Sequence, residues 1–280
     1  MDAIYNGDAT VLQRCTKSAS LEKKMDIAKI VERIAEGLLV LDRDDLGGRV
    51  SQRTRKPFLP GLPSMNEPAV TAGLCAWWQK AHPEDMIGGR HLVPGNPYAT
   101  GDARRCDIAI LHGESVPETE WLLEVKQVEL VGDNGKNNDF GLQKAVSPYL
   151  KDRSLFHDAL RLSHLRGSGR GAVVVYGFTY TRETVAKANS VFAGVQDLNP
   201  PYPLLTDRVT EIDRVRKTAT EHGADGEFSI APIVEIIDLM LKHGGIVHEG
   251  PVVTKFKGAW RHPCGGDGMV AGWEIRGSST

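Results

Sequence analysis

Cysteine is scarce in these 280 residues. The four present, Cys15, Cys75, Cys106 and Cys264, lie too far apart for the close pairing that zinc ribbons and small disulfide scaffolds need. They read as reduced thiols of a cytoplasmic protein. Net positive charge is missing as well: 34 Lys and Arg stand against 36 Asp and Glu, a balance of -2 at pH 7. No overall field attracts nucleic acid, so any polyanion site must be a local patch helped by bound cations. No run of about 18 uncharged apolar residues occurs, and the opening MDAIYNGDATVLQRC has no apolar signal core. Neither membrane insertion nor secretion is expected. A Gly-rich phosphate loop ending in Gly-Lys-Ser/Thr is also lacking, which excludes nucleotide hydrolysis by that route and leaves any ATP-driven step to another subunit.

What is present suffices for a full core, since 41% of the residues are hydrophobic. Between Leu21 and Leu41, residues Ile27, Ile30, Val31, Ile34, Leu38 and Leu41 recur at three- and four-residue steps and predict an amphipathic helix. The following DDLGGRVSQRTRKPFLPGLPSMN cannot sustain a helix and reads as an extended link. Asn66 then caps a predicted helix that opens on Glu67 and Pro68 and continues through AVTAGLCAWWQKA. Turn residues break HLVPGNPYATGDARRC before a short strand from Cys106 to Leu111. A second strand, Trp121 to Leu130, follows closely enough to favour an antiparallel hairpin. Helical patterns cover Phe140 to Leu150, Ser154 to Leu165 and Thr181 to Gly194. Among them the apolar run Ala172 to Phe178 reads as a strand covered on both faces. Further on, Val209 to Glu221 reads as a polar helix and Pro232 to Lys242 as a buried one. Val252 to Trp260 and Met269 to Ile275 form a closing hairpin. The expected class is α/β, a central mixed sheet flanked by helices. The expected division is an N-terminal helix and basic linker at 1–60, a core at 61–195, and C-terminal helices and a hairpin packed on it at 196–280.

Strand alternation isolates the chemistry. In Trp121-Leu-Leu-Glu-Val-Lys-Gln-Val128, the residues Leu122, Glu124, Lys126 and Val128 share one face, while Trp121, Leu123 and Val125 anchor the other. An acid and an amine thus project side by side, on a face expected to meet a cleft or solvent. In the preceding strand Ile108 and Ile110 anchor one face and Asp107 the other, so hairpin pairing brings Asp107 beside Glu124. Two carboxylates so placed repel unless a cation sits between them, and hard oxygen donors suit magnesium, with manganese as a substitute. Such an ion polarises a phosphoryl oxygen and acidifies a bound water, and Lys126 can orient that water or offset charge on the phosphate.

At these residues the chain resembles the PD-(D/E)xK, restriction-endonuclease-like nuclease superfamily. Its signature is an acid on one strand followed by an acid-any-Lys tripeptide on the next. Here Asp107 is followed, after a 16-residue gap, by Glu124-Val125-Lys126. The resemblance implies that Asp107 and Glu124 bind the metal, that the Val125 carbonyl adds a ligand, and that Lys126 serves the nucleophile. It also implies a restriction-endonuclease-like core. Glu67 matches an acid that many members carry on the preceding helix, and Gln143 or Lys144 matches a helper on the following one. The proline that names the motif is replaced by Cys106. The resemblance covers roughly residues 66 to 178, and Asp102, in a Gly- and Arg-rich loop, is the alternative to Asp107.

From Lys136 to Arg170 seven Lys and Arg, among them Lys144, Lys151 and Arg153, face three Asp. This excess reads either as phosphate contacts or as a solvated helix face. Arg53 and Arg55, with Arg49 and Lys56, form an acid-free stretch that reads as a nucleic-acid-binding arm or as a plain linker. The GDNGKNND loop at 132–139 lacks calcium-loop spacing and reads as a turn. Trp77 and Trp78 suit helix packing better than base stacking, and the histidines show no ligand spacing. The expectation is a magnesium-dependent DNA endonuclease of restriction or prokaryotic anti-phage defence. It would act as a homodimer, or with a helicase or methyltransferase in a larger complex. A repair, recombination or structure-specific nuclease is the alternative within the class. A non-catalytic binding or assembly protein on the same fold is the alternative outside it.

Overall fold

The computed structural model describes residues 25–50, 55, 57–98, 104–113, 117–128, 154–165, 169–178, 230–257, 261 and 267–277. The four main helices among them are α1 (Ile27–Asp44), α2 (Glu67–Ala81), α3 (Leu155–Ser163) and α4 (Ala231–His243). The six strands are β1 (His91–Pro94), β2 (Ile108–His112), β3 (Glu118–Val128), β4 (Arg170–Phe178), β5 (His248–Phe256) and β6 (Gly268–Ile275). All six join one mixed sheet in the order β1-β2-β3-β4-β6-β5. Only β3 and β4 run parallel; the other neighbours are antiparallel. The protein is therefore an α/β structure with a mixed sheet flanked by helices.

Helices cover both faces. On one side Gly272 of β6 leaves room for α1, because a Cβ there would lie 2.6 Å from Val31 Cγ2 and 3.2 Å from Ile27 Cδ1. The apolar stripe expected for α1 is buried at Ile27, Ile30, Val31, Ile34 and Leu38, and the Asp26 carboxylate accepts from the Lys29 amide at 2.8 Å to cap the helix. On the other side Gly171 of β4 lies under Leu162 of α3, and Trp273 of β6 donates to Asp238 of α4 at 3.2 Å. The β4 residues Ala172 to Tyr176, sandwiched between these layers, are essentially inaccessible, as their unbroken apolar run demands. Gly272→Val is expected to destabilise the fold by about 1–3 kcal/mol, since the added methyls collide with α1. Urea unfolding measures it, and an unchanged midpoint would mean that α1 does not dock at this point.

Several boundaries differ from the sequence-based expectation. No strand was expected before the break at Pro94 and Gly95, yet His91 to Pro94 pair with β2 as a short edge strand, which Pro94 tolerates because an edge strand leaves one side without a ladder. The strand expected from Cys106 starts at Ile108, because Cys106 donates instead to Asn96 O in the loop bend. The first strand of the closing hairpin begins at His248, earlier than Val252, with a register shift between Glu249 and Val252. The helices expected at Phe140 to Leu150, Thr181 to Gly194 and Val209 to Glu221 lie outside the described residues, as does the 132–139 loop. Among the described residues no helix is long and apolar enough to cross a membrane.

The segment leading into α2 is pinned from α1. Buried Asp42 accepts from the Leu62 amide at 2.8 Å, and Asp45 accepts from the Gly61 amide at 2.8 Å. Asn66 then caps α2, its side chain accepting from the Ala69 amide at 2.9 Å. Glu67 is thereby fixed at the first turn of a helix packed against β1 and β3.

Candidate functional site

The antiparallel register of β2 and β3 sets Ile108 opposite Leu123, so Asp107, one residue earlier, falls beside Glu124. Asp107 is tied to β3 twice. Its amide donates to Leu123 O at 3.1 Å, and its carboxylate Oδ2 accepts from the Val125 amide at 2.7 Å. A one-residue slip would break both bonds and turn Asp107 to the opposite face.

Lys126 Nζ occupies the middle of an acidic cluster. It donates to Glu67 Oε1 at 2.8 Å and lies 3.4 Å from Asp107 Oδ2, 3.2 Å from Asp158 Oδ2 and 3.8 Å from Glu124 Oε2. The Val125 carbonyl is 3.5 Å from the same nitrogen. The structure thus brings together Glu67, Asp107, Glu124, Val125 and Lys126. The charged pair was expected to face a cleft or solvent. It is instead buried, with Glu124 3% and Lys126 8% exposed. Alternation shows which residues share a face and not what covers it; here the cover is α3. Asp107 and Glu67 keep more accessible side chains, 21% and 27% exposed, so the site opens on their side.

Three participants were not placed at this site by the sequence reading, which counted Asp158 and Arg161 only within the Lys136 to Arg170 run. Tyr98, on the loop after β1, donates its hydroxyl to Glu124 Oε1. Asp158 and Arg161 come from α3: Arg161 Nη1 lies 3.0 Å from Asp158 Oδ1 and 3.2 Å from Glu124 Oε1, and the guanidinium stands 5.5 Å from the Tyr98 ring centroid. A signal for Asp158 was available. Leu155, Asp158, Ala159 and Leu162 sit at helical steps on one buried stripe, and an acid within such a stripe requires charged partners. Arg161, three residues on, is the neighbour that helical spacing supplies. Tyr98 carried no comparable signal.

The electrostatics follow from four carboxylates held by two cations. Burial pushes the Glu124 carboxyl well above the usual range, helped by the charges of Asp158 and Asp107. Burial likewise raises Asp107, against the pull of Lys126. For Lys126 burial acts downward, but Asp107, Asp158, Glu67 and Glu124 outweigh it and hold the amine well above its ordinary value. Without metal, folded Glu124 keeps a proton that the unfolded chain releases near pH 4.5. Its contribution to stability is therefore greatest at acid pH and falls as pH rises from about 4.5 towards its folded pKa, at up to ~1.4 kcal/mol per pH unit. Glu124→Gln removes this titration. In chelator, the stability of the variant relative to wild type is expected to increase as pH rises from about 4.5 to 8. Urea unfolding across that range measures it; a constant difference would mean that Glu124 ionises normally.

Several other sequence candidates lie elsewhere. Lys144, Lys151, Arg153 and Arg53, together with Gln143 and Asp102, fall outside the described residues. Arg55 is exposed, with a backbone φ of 58°. Arg170, the last of the basic run, pairs with Glu274 and stacks 4.0 Å from the Trp121 ring centroid, so it serves the sheet. Trp78 is buried and donates to Asp85 at 2.9 Å, and Trp77 packs edge-on to His82, as helix packing requires. Cys75 and Cys106 are free and buried, and burial pushes both thiols up to about 12, which makes them poor nucleophiles.

A tighter set of metal-compatible ligand atoms exists at the far end of α2, in His82, Glu84 and Asp85. Arg33 pairs with it, contacting Asp85 at 2.7 Å, Glu36 at 2.9 Å and Glu84 at 3.3 Å. That group is satisfied as an ion-pair network. In comparisons with known proteins the chain matches no family model, no curated protein and no solved structure.

Proposed function

We propose that this chain is a metal-dependent DNA endonuclease with a restriction-endonuclease-like core. Its role is that of a restriction enzyme or of the nuclease subunit of a prokaryotic anti-phage system in the cytoplasm. The observation that carries this reading is Asp107 locked beside Glu124 on one face, with Lys126 reaching both. Chance acid-any-Lys tripeptides have no such third partner. The cluster fits a divalent cation by its chemistry: every donor is oxygen, and four carboxyl groups stand against two cations, an imbalance that a bound cation would meet and that without metal the proton on Glu124 reduces.

Magnesium, with manganese substituting, would be held by Asp107, Glu124 and the Val125 carbonyl, and would supply phosphoryl polarisation and a more acidic water. The rest falls to the chain. Glu67 accepts from Lys126 and sets the direction of the ammonium. Lys126, held charged by its neighbours, donates towards the attacking water or a phosphate oxygen. Tyr98 and Arg161 both engage Glu124 Oε1, which leaves Oε2 turned to the cluster centre. Cutting a duplex takes two such sites, so a homodimer or a larger complex is the working assembly.

The test is incubation of the purified protein with supercoiled plasmid and magnesium or manganese. Nicked or linear product is expected with either ion and none in chelator. No cleavage with either ion, on plasmid or on single-stranded and branched DNA, would sink the proposal.

A further inference from the structure

We infer that Asp158 of α3 is a ligand of the divalent cation, a third acidic arm beside Asp107 and Glu124, brought to the site from the opposite layer of the fold. The inference rests on the nuclease reading of the site and goes beyond the strand hairpin that carries it. Asp158 is 4% exposed, yet its Oδ2 has no hydrogen-bond partner. That oxygen lies 3.2 Å from Lys126 Nζ, an ion-pair distance at an angle that makes no hydrogen bond. A buried carboxylate oxygen without a donor costs free energy unless a ligand completes it.

The two oxygens of Asp158 are used differently. Oδ1 is held by Arg161 Nη1 at 3.0 Å, which fixes the carboxylate plane, and Oδ2 points into the cluster. Glu124 repeats the pattern: Oε1 is held by Tyr98 and Arg161, and Oε2 faces the centre. One guanidinium therefore orients two carboxylates towards a common point, the arrangement by which outer hydrogen bonds aim metal ligands. Lys126 Nζ, 3.2 to 3.8 Å from Asp107, Glu124 and Asp158, now stands as the cation at that point.

The stripe on α3 explains how the ligand is delivered. Leu155, Ala159 and Leu162 anchor the helix, and Asp158 is the buried residue of the stripe that carries a charge. Because α3 lies in the crossover between the parallel strands β3 and β4, its docking is coupled to the strand that carries Glu124. Cation binding would then tie α3 to the β2–β3 hairpin across the sheet face.

Calorimetric titration of the full chain with manganese decides the matter, using wild type, Asp107→Asn, Asp158→Asn and Glu67→Gln, each checked for folding by circular dichroism. Asp158→Asn is expected to weaken binding by about tenfold or more, as Asp107→Asn does, and Glu67→Gln, which removes the same charge nearby, by clearly less. Retained binding in Asp158→Asn beside loss in Asp107→Asn would overturn the inference and leave the nuclease reading intact. An Asp158→Asn effect no larger than that of Glu67→Gln would also overturn it. No manganese binding by wild type would remove both. Asp158→Cys adds a direct signature: a thiolate ligand is expected to recruit cadmium with an ultraviolet charge-transfer band that wild type lacks. If Asp158→Asn fails to fold, that band decides, and its absence overturns the inference.

Discussion

Lys126→Ala is expected to slow metal-supported plasmid cleavage by about 10²- to 10⁴-fold, the loss typical of a group that moves or positions a proton in the transition state. The same variant is expected to lose about 3–5 kcal/mol of stability in chelator, because it leaves buried carboxylates without the ammonium that now sits among them. Part of that loss is expected to appear instead as proton uptake by Asp107, whose pKa is already raised and which loses the opposing charge of Lys126. Added manganese is expected to restore stability in the variant more than in wild type, since binding to the folded state alone shifts the unfolding equilibrium. Gel-based cleavage rates and urea unfolding with and without manganese measure the two arms. Full cleavage by the variant would remove Lys126 from the mechanism.

The second large effect is expected from Asp107→Asn. Its amide oxygen can still accept from the Val125 amide, so the β2–β3 register should survive while the charge is lost. Cleavage is expected to fall by about 10²- to 10³-fold, with manganese affinity reduced by about tenfold or more. Metal-free stability is expected to hold or rise, because one member of a repelling set has gone. A stability loss in Lys126→Ala with none in Asp107→Asn is the signature of an acidic site held together by that ammonium. Calorimetry, cleavage rates and urea unfolding report the three quantities together. Unchanged manganese affinity in Asp107→Asn would place the cation elsewhere.

Much of the frame was legible along the chain. The three- and four-residue spacing of Ile27, Ile30, Val31, Ile34 and Leu38 predicted α1 and its buried stripe. The Asn66 cap with Pro68 predicted the start of α2. The run Ala172 to Phe178 predicted a doubly covered strand. These patterns are local, and a helix cap or a strand period needs no partner to be recognised. What failed was equally physical. β1 is an edge strand whose Pro94 and following Gly95 read as a turn, and only its pairing with β2 makes it a strand. Nor was it legible that β6 hydrogen-bonds to β4 with β5 beyond it at the sheet edge. Strand order is a long-range choice that spacing does not encode.

The sequence alone placed Glu124 beside Lys126, because side chains two residues apart on a strand share a face whatever surrounds them. It also placed Asp107 next to them, given one hairpin. The tertiary structure decided that the face is buried, that Asp158 and Arg161 of α3 close over it, and that Tyr98 joins from a loop. Those three lie 26 to 37 residues from Glu124 along the chain. Asp158 and Arg161 meet it because β3 and β4 run parallel and the crossover lays α3 across the face that carries the acids, and Tyr98 because β1 pairs with β2 beside β3. Adjacency within a strand is set by covalent geometry, whereas the charge balance of a buried site is set by which elements pack together.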